Sequence, residues 1–230
     1  KNHAIIDSTA NLKDAAEKIL WSKYVNCGQT CIAVNHVFIP SIHYDVFIGY
    51  LKDVLDSFFA NNSDYGEIVN SAHVNRLDNV LKESLDHGAN LIISSYQKRV
   101  ENKFPLTILG DIDLENPILS KEIFGPILPV VKYDDLNVVL DFINRQDKSL
   151  ALYYFSKSDK RISQFIDSTT SGTVVINDCM LQYANPHLPF GGVNNSGIGK
   201  VGGKYGFLAF SNEKAVLFQK SGYSVAKFIY

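Results

Sequence analysis

Residues 136–176 read LNVVLDFINRQDKSLALYYFSKSDKRISQFIDSTTSGTVVI, and the change of hydrophobic period within them decides the fold. Apolar residues recur at three- and four-residue steps over 136–144, which predicts a helix with one apolar face. Residues 150–155, LALYYF, are apolar throughout and predict a strand buried on both faces. The helical pattern returns over 160–167, and 173–176, TVVI, is again a strand. Helix, strand, helix and strand at this spacing predict an α/β domain whose sheet is largely parallel and flanked by helices.

The same alternation extends toward the amino terminus. Residues 11–24 predict a helix carrying Leu12, Ala15, Ala16, Ile19, Leu20 and Tyr24 on one face, with Ser8, Thr9 or Asn11 as its cap. Residues 33–39, AVNHVFI, are a short β-branched strand stopped by Pro40. Helices follow over 44–59 and 72–87, with short strands over 91–95, 106–109 and 126–132; Pro129 weakens the first half of the last of these. Toward the carboxyl terminus, 215–219, AVLFQ, predicts a final strand. Seven of the fifteen glycines fall between residues 191 and 206, so that stretch has a demanding backbone.

Composition excludes several function classes. Lys and Arg number 22 against 24 Asp and Glu, a formal charge of −2, and binding to nucleic acid or an anionic membrane needs clustered positive charge instead. No apolar run approaches the ~18 residues of a membrane span. Residues 1–6 lack the apolar core of a signal peptide. Three cysteines, Cys27, Cys31 and Cys179, suit a reducing compartment better than a disulfide framework, so the expected location is cytoplasmic. The cysteines and histidines lack metal-site spacing, so no metal is expected. Met180 is the single methionine and the sequence starts at Lys1; a trimmed chain or a fragment is the expectation.

Four segments could carry chemistry. Asn26-Cys27-Gly28-Gln29-Thr30-Cys31 lies between a helix end and a buried strand, where a cysteine can point into a cleft. Cys31 is there either a nucleophile or a small buried hydrophobe. In Lys121-Glu122-Ile123-Phe124-Gly125-Pro126, a carboxylate two residues before an aromatic ring suits a sugar hydroxyl with a flat ring beside it, or an ordinary exposed ion pair. Gly197-Ile198-Gly199-Lys200-Val201-Gly202 matches G-x-G-x-x-G, but no strand precedes it and no βαβ unit follows, so it is not read as a dinucleotide fingerprint. Pro189-Phe190-Gly191-Gly192 requires a rigid turn. No G-x-S-x-G or H-E-x-x-H occurs.

Together these segments resemble the aldehyde dehydrogenase superfamily, its class 3 branch in particular. Lys1-Asn2 resembles the end of an LGGK segment. Residues 21–33, WSKYVNCGQTCIA, resemble the active-site segment, Glu122–Pro126 the EIFGP segment, and Pro189–Gly192 with Asn195-Ser196-Gly197 the PFGG…NSG segment. The order is that of the family.

The resemblance implies a catalytic domain over 1–210 and a C-terminal strand and bridging tail over 211–230 that helps form a homodimer. It implies oxidation of aldehydes to carboxylic acids with NAD or NADP through a thioester. Cys31 takes the position of the nucleophile, and Glu122 that of the carboxylate binding the nicotinamide ribose. Phe124 falls beside the nicotinamide, and His73 and Arg76 toward the adenosine end. Residues 180–187 border the aldehyde entrance. The family's general-base glutamate, its oxyanion-binding asparagine and its dinucleotide-binding domain all precede the position of Lys1. The isolated chain is therefore expected not to complete the cycle, and removal of that domain to leave an apolar face that self-associates. A scaffold or interaction domain with the same fold is the alternative.

Overall fold

The computed structural model describes residues 1–59, 65–94, 102–222 and 224–228. Seven strands make one sheet: β1 (His3–Ile6), β2 (His36–Pro40), β3 (Asn90–Ser94), β4 (Thr107–Gly110), β5 (Ile127–Tyr133), β6 (Ser149–Phe155) and β7 (Ser171–Ile176). Their order is β3-β4-β5-β2-β1-β6-β7. Every neighbouring pair is parallel except the edge pair β3 and β4. The α/β architecture expected from the alternating periods is the one observed.

Helices cover both faces. On one side lie α1 (Leu12–Tyr24) and α2 (Tyr44–Phe59); on the other lie α3 (Ser71–Asp86), α4 (Leu136–Arg145) and α5 (Asp159–Ser168). The interior strand β1 shows why. Ala4 and Ile6 of β1 join Ala15, Ile19, Phe47 and Leu51 in one core. Ile5 joins Leu77, Val139, Ile143 and Phe165 in the other. Successive strand side chains point to opposite faces, so a sheet covered on both sides needs apolar residues at every position.

The sequence pattern missed β1, an interior strand: it spans only four residues, HAII, and opens on a histidine. It also missed α6 (Gly203–Ala209). Pro129 does not interrupt β5. That strand pairs with β4 over Ile127, Leu128 and Pro129 and with β2 from Val130 to Tyr133. The proline thus sits where pairing passes from one neighbour to the other, the place where a missing N–H costs least. Residues 215–219 take no place in this sheet. Val216, Leu217 and Phe218 stand 61%, 89% and 91% exposed. Of the strand expected over 91–95, Ser95 lies outside the described residues, as do Tyr223, Ile229 and Tyr230 of the expected tail. Among the described residues no helix is long and apolar enough to cross a membrane.

Open parallel sheets bind ligands most often beyond the carboxyl ends of their strands, where crossovers diverge. Here that point lies between β1 and β6, and it is filled by Asp7, which is fully buried. Its carboxylate accepts from the Thr9 N–H (2.6 Å), Thr9 Oγ1 (2.7 Å) and Ser156 Oγ (2.7 Å), with Arg161 Nη1 at 3.6 Å. A cleft of about 850 Å³ opens nearby, lined by Tyr133, Asp135 and Arg161 among others. None of the sequence-predicted site residues lines it.

Asp7→Ala removes a carboxylate that joins the ends of β1 and β6 and leaves buried hydroxyls short of an acceptor. We expect a loss of about 2–4 kcal/mol of stability, measured by urea unfolding.

Candidate active site

The four segments singled out in the sequence converge on the opposite, amino-terminal edge of the sheet. Helix α1 ends because Asn26, Cys27 and Gly28 all take left-handed backbone conformations, with φ of 50°, 53° and 69°. Asparagine and glycine tolerate that region, whereas cysteine is strained in it. The reversal is pinned by Asn26 Nδ2 donating to the Gln29 carbonyl and Gln29 Nε2 donating back to the Asn26 carbonyl, each at 3.0 Å. It turns Cys27 into the core and leaves Cys31 exposed.

Burial pushes the Cys27 thiol above its ordinary pKa, and full burial pushes Cys179 much further. Both are held in the unreactive thiol form. Cys31 instead lines a cleft of about 450 Å³ together with Lys1, Ser120, Glu122, Asp147, Asn195 and Ser196. The active-site-like segment, the Glu122 segment and the Asn195-Ser196-Gly197 segment thus share one cavity.

Glu122 is exposed and is the wall between this cleft and a second one of about 560 Å³, lined also by Asn75, Arg76, Asn79 and Glu83. Phe124 follows at φ 45° with its ring 40% exposed. The strained turn is held from three sides. Arg76 Nη2 donates to the Ile123 carbonyl (2.6 Å) and to the Phe124 carbonyl (3.4 Å). Lys23 Nζ donates to the Gly125 carbonyl at 3.2 Å. A Cβ on Gly28 would come within 2.5 Å of that same carbonyl oxygen, so the cysteine turn and the glutamate turn are in van der Waals register. Arg76 Nε also reaches His73 Nδ1 at 3.4 Å. The structure therefore brings Arg76 to the Glu122 turn and places His73 behind Arg76, away from the cleft linings.

Sequence reasoning missed the side chains that fix the two turns. Asn2 Nδ2 donates to the Cys31 carbonyl (2.7 Å) and the Ala33 carbonyl (3.0 Å), while its Oδ1 accepts from the Ala151 N–H at 2.9 Å. Asn35 Oδ1 accepts from the Ile123 N–H (2.9 Å), and its Nδ2 donates to the Lys121 carbonyl (2.9 Å). The signal was available in AVNHVFI, where an Asn-His pair interrupts an otherwise apolar buried strand. His36 and His3 are both fully buried, with Nε2 of the first 2.6 Å from Nδ1 of the second. Burial lowers His3 to about 3 and takes His36 well below the usual imidazole range.

Residues 180–187 follow β7, and Gln182 links them to the strand that carries Tyr153. Met180 is left-handed at φ 65°. Gln182 Nε2 contacts the buried Tyr153 hydroxyl, which donates to the Ile32 carbonyl next to Cys31. An apolar groove of about 420 Å³ between Trp21, Phe58 and Leu181 adjoins this segment. The glycine-rich stretch is structural: Lys200 Nζ donates to the carbonyls of Gly172 (3.0 Å) and Gly191 (2.6 Å), tying the turn to β7. Residues 197–202 lie between a short 3₁₀ turn and α6 and not behind a strand, as the sequence context indicated.

The Aldehyde dehydrogenase family profile matches residues 1–216. The chain belongs to the aldehyde dehydrogenase family. The 4,4'-diaponeurosporen-aldehyde dehydrogenase of Staphylococcus aureus is 36% identical over 96% of the chain and 48% of its own length. Aldehyde dehydrogenase family 3 member A2 of Rattus norvegicus is 36% identical over the whole chain and 48% of its own length. A Staphylococcus aureus AldH structure, described as a substrate-bound state, superposes with a TM-score of 0.90 at 35% identity, covering 97% of this chain and 49% of that one. An NADP complex of a glyceraldehyde-3-phosphate dehydrogenase from Bacillus halodurans C-125 superposes at 0.80 and 26% identity, covering 88% and 43%. The chain thus spans about half the length of the aldehyde dehydrogenases it matches.

Lys23 yields a prediction with a definite sign. Full burial lowers its pKa to about 7, while the unfolded chain holds that proton to about 10.4. Between these values the unfolded state binds more protons, so this group makes the fold more stable as pH rises from 7, and adds no slope below 7. Lys23→Met should flatten that rise, read from unfolding midpoints between pH 6.5 and 9. The two histidines act at the other end. Their folded-state pKa values are depressed below the ordinary ~6.5, so stability should fall as pH drops below that value, and His3→Phe should lessen this acid sensitivity in unfolding midpoints followed from about pH 6.5 down to about pH 4.

Proposed function

We propose that this chain is the catalytic portion of an NAD(P)-dependent aldehyde dehydrogenase that oxidises aldehydes to carboxylic acids. The observation that carries this reading is the placing of exposed Cys31 and exposed Glu122 on one cleft, with the two other cysteines buried. An exposed carboxylate beside an exposed ring, on a backbone held open by Arg76 and Lys23, fits a cofactor with two sugar hydroxyls and a flat nicotinamide. Glu122 would accept from the hydroxyls and Phe124 would lie against the ring. When bound, the dinucleotide supplies a hydride acceptor.

In this reading the Cys31 thiolate adds to the aldehyde carbon and forms a tetrahedral oxyanion. The Cys31 backbone N–H would donate to that oxygen, an interaction worth about 3 kcal/mol where one such donor has been removed. Loss of the aldehyde hydrogen as hydride leaves a thioester on Cys31. Water then cleaves the C–S bond, its oxygen and one hydrogen completing the carboxylic acid and its other hydrogen restoring the thiol. A dinucleotide-binding domain supplies the rest of the cofactor site, and residues 211–230 provide an arm for a homodimer.

Reactivity separates this reading from a scaffold with the same fold. At pH 7.5, iodoacetamide should label Cys31 at least roughly tenfold faster than Cys27 or Cys179, with sites assigned by peptide mass spectrometry. Cys31→Ser should remove the fast phase and aldehyde oxidation together. Slow, equal labelling of all three thiols would favour the scaffold.

A further inference from the structure

Asn35 is 4% exposed and its side chain is spent on the backbone on both sides of Glu122. It accepts from the residue after and donates to the residue before, each bond 2.9 Å long. The orientation of the amide is fixed by its partners, because the Ile123 N–H can only donate and the Lys121 carbonyl can only accept. Nδ2 also lies 3.2 Å from His36 Nδ1. Since Nδ2 is a donor, His36 Nδ1 must accept. His36 then carries its proton on Nε2 and donates it to His3 Nδ1. His3 Nε2–H remains without a partner.

This chain of bonds runs one way, from Asn35 through His36 to His3, and ends on a buried donor that finds no acceptor. An apolar side chain at position 35 would leave Lys121 and Ile123 unpaired, yet the turn itself could be filled by hydrophobic packing alone. What the amide adds is direction. Gripping residues 121 and 123 leaves only the residue between them free, and that residue is Glu122, aimed at the cleft.

We propose that Asn35 is a positioning residue for the Glu122 carboxylate and sets dinucleotide affinity while touching no cofactor atom itself. This rests on the cofactor reading of Glu122 given above. Cys31 is held by a different amide, that of Asn2, so the two halves of the cleft should respond separately.

The test uses the full-length polypeptide with NAD+ as the probe. Asn35→Ala removes both bonds to the turn and should weaken NAD+ binding at least about tenfold by calorimetry. It should also speed trypsin cleavage after Lys121, whose carbonyl it releases, while Cys31 alkylation stays within twofold of the parent. Asn35→Asp keeps the shape and the acceptor for Ile123 but turns a carboxylate oxygen toward the Lys121 carbonyl in place of the donor, so it too should weaken NAD+ binding, and it tests the idea if the alanine variant folds poorly. Unchanged affinity in both variants, with Glu122→Gln weakened, would overturn the positioning role and leave the cofactor reading standing. Unchanged affinity in Glu122→Gln as well would overturn both. A lower melting temperature with unaltered affinity in Asn35→Asp would reduce Asn35 to a packing residue.

Discussion

The Asn35 N–H donates to the Asn2 carbonyl at 2.8 Å, and this bond closes the amino end of the β1–β2 ladder. Both side chains then extend from the sheet edge in fixed directions, one to the Cys31 turn and one to the Glu122 turn. A loop on a protein surface ordinarily samples many backbone states. Here two loops that could wander are each nailed to a strand buried on both faces. The geometry of the cleft is therefore inherited from the sheet, the most rigid part of the molecule.

Choosing the amino edge has a physical price in backbone geometry. Parallel strands followed by helices present helix N-termini at the carboxyl edge, a ready setting for anions. At the amino edge the chain arrives from helix C-termini, and short connections must turn sharply to feed the strands. Asn26, Cys27 and Phe124 show the result, all in the left-handed region without being glycine. Lys23 and Arg76 meet the carbonyls that these turns leave free. Meanwhile Asp7 satisfies the carboxyl edge from within, its carboxylate taking the donors that a bound anion would otherwise use.

The fold was legible because burial on two faces writes a simple message: unbroken apolar strands between amphipathic helices. LALYYF and TVVI were readable as strands for that reason. His3–Ile6 was not, since four residues beginning with histidine carry too little pattern, although the strand lies inside the sheet. The candidate site was legible only as separate motifs. Spacing alone favoured a small core residue over a nucleophile for Cys31, and nothing local showed that Glu122 would share its cavity. Resemblance to a family joined the motifs, and the structure supplied what neither could: the long-range amides of Asn2 and Asn35, which bridge 29 and 88 positions of sequence. Residues 215–219 failed as a strand for the complementary reason, because alternation in a sequence cannot name the ladder partner.

Pro129 illustrates how a local defect can serve a global end. Strand β5 joins two half-sheets, one on each side of the point where its pairing changes neighbour. A proline tolerated at that seam would be costly one step inside either ladder, where its missing N–H would leave a carbonyl unanswered. Parallel strands have few other features that distinguish one alignment from the next, because their apolar side chains are nearly interchangeable. The residue that most weakens β5 in isolation therefore works as an index mark, penalising misaligned sheets while the chain is still assembling.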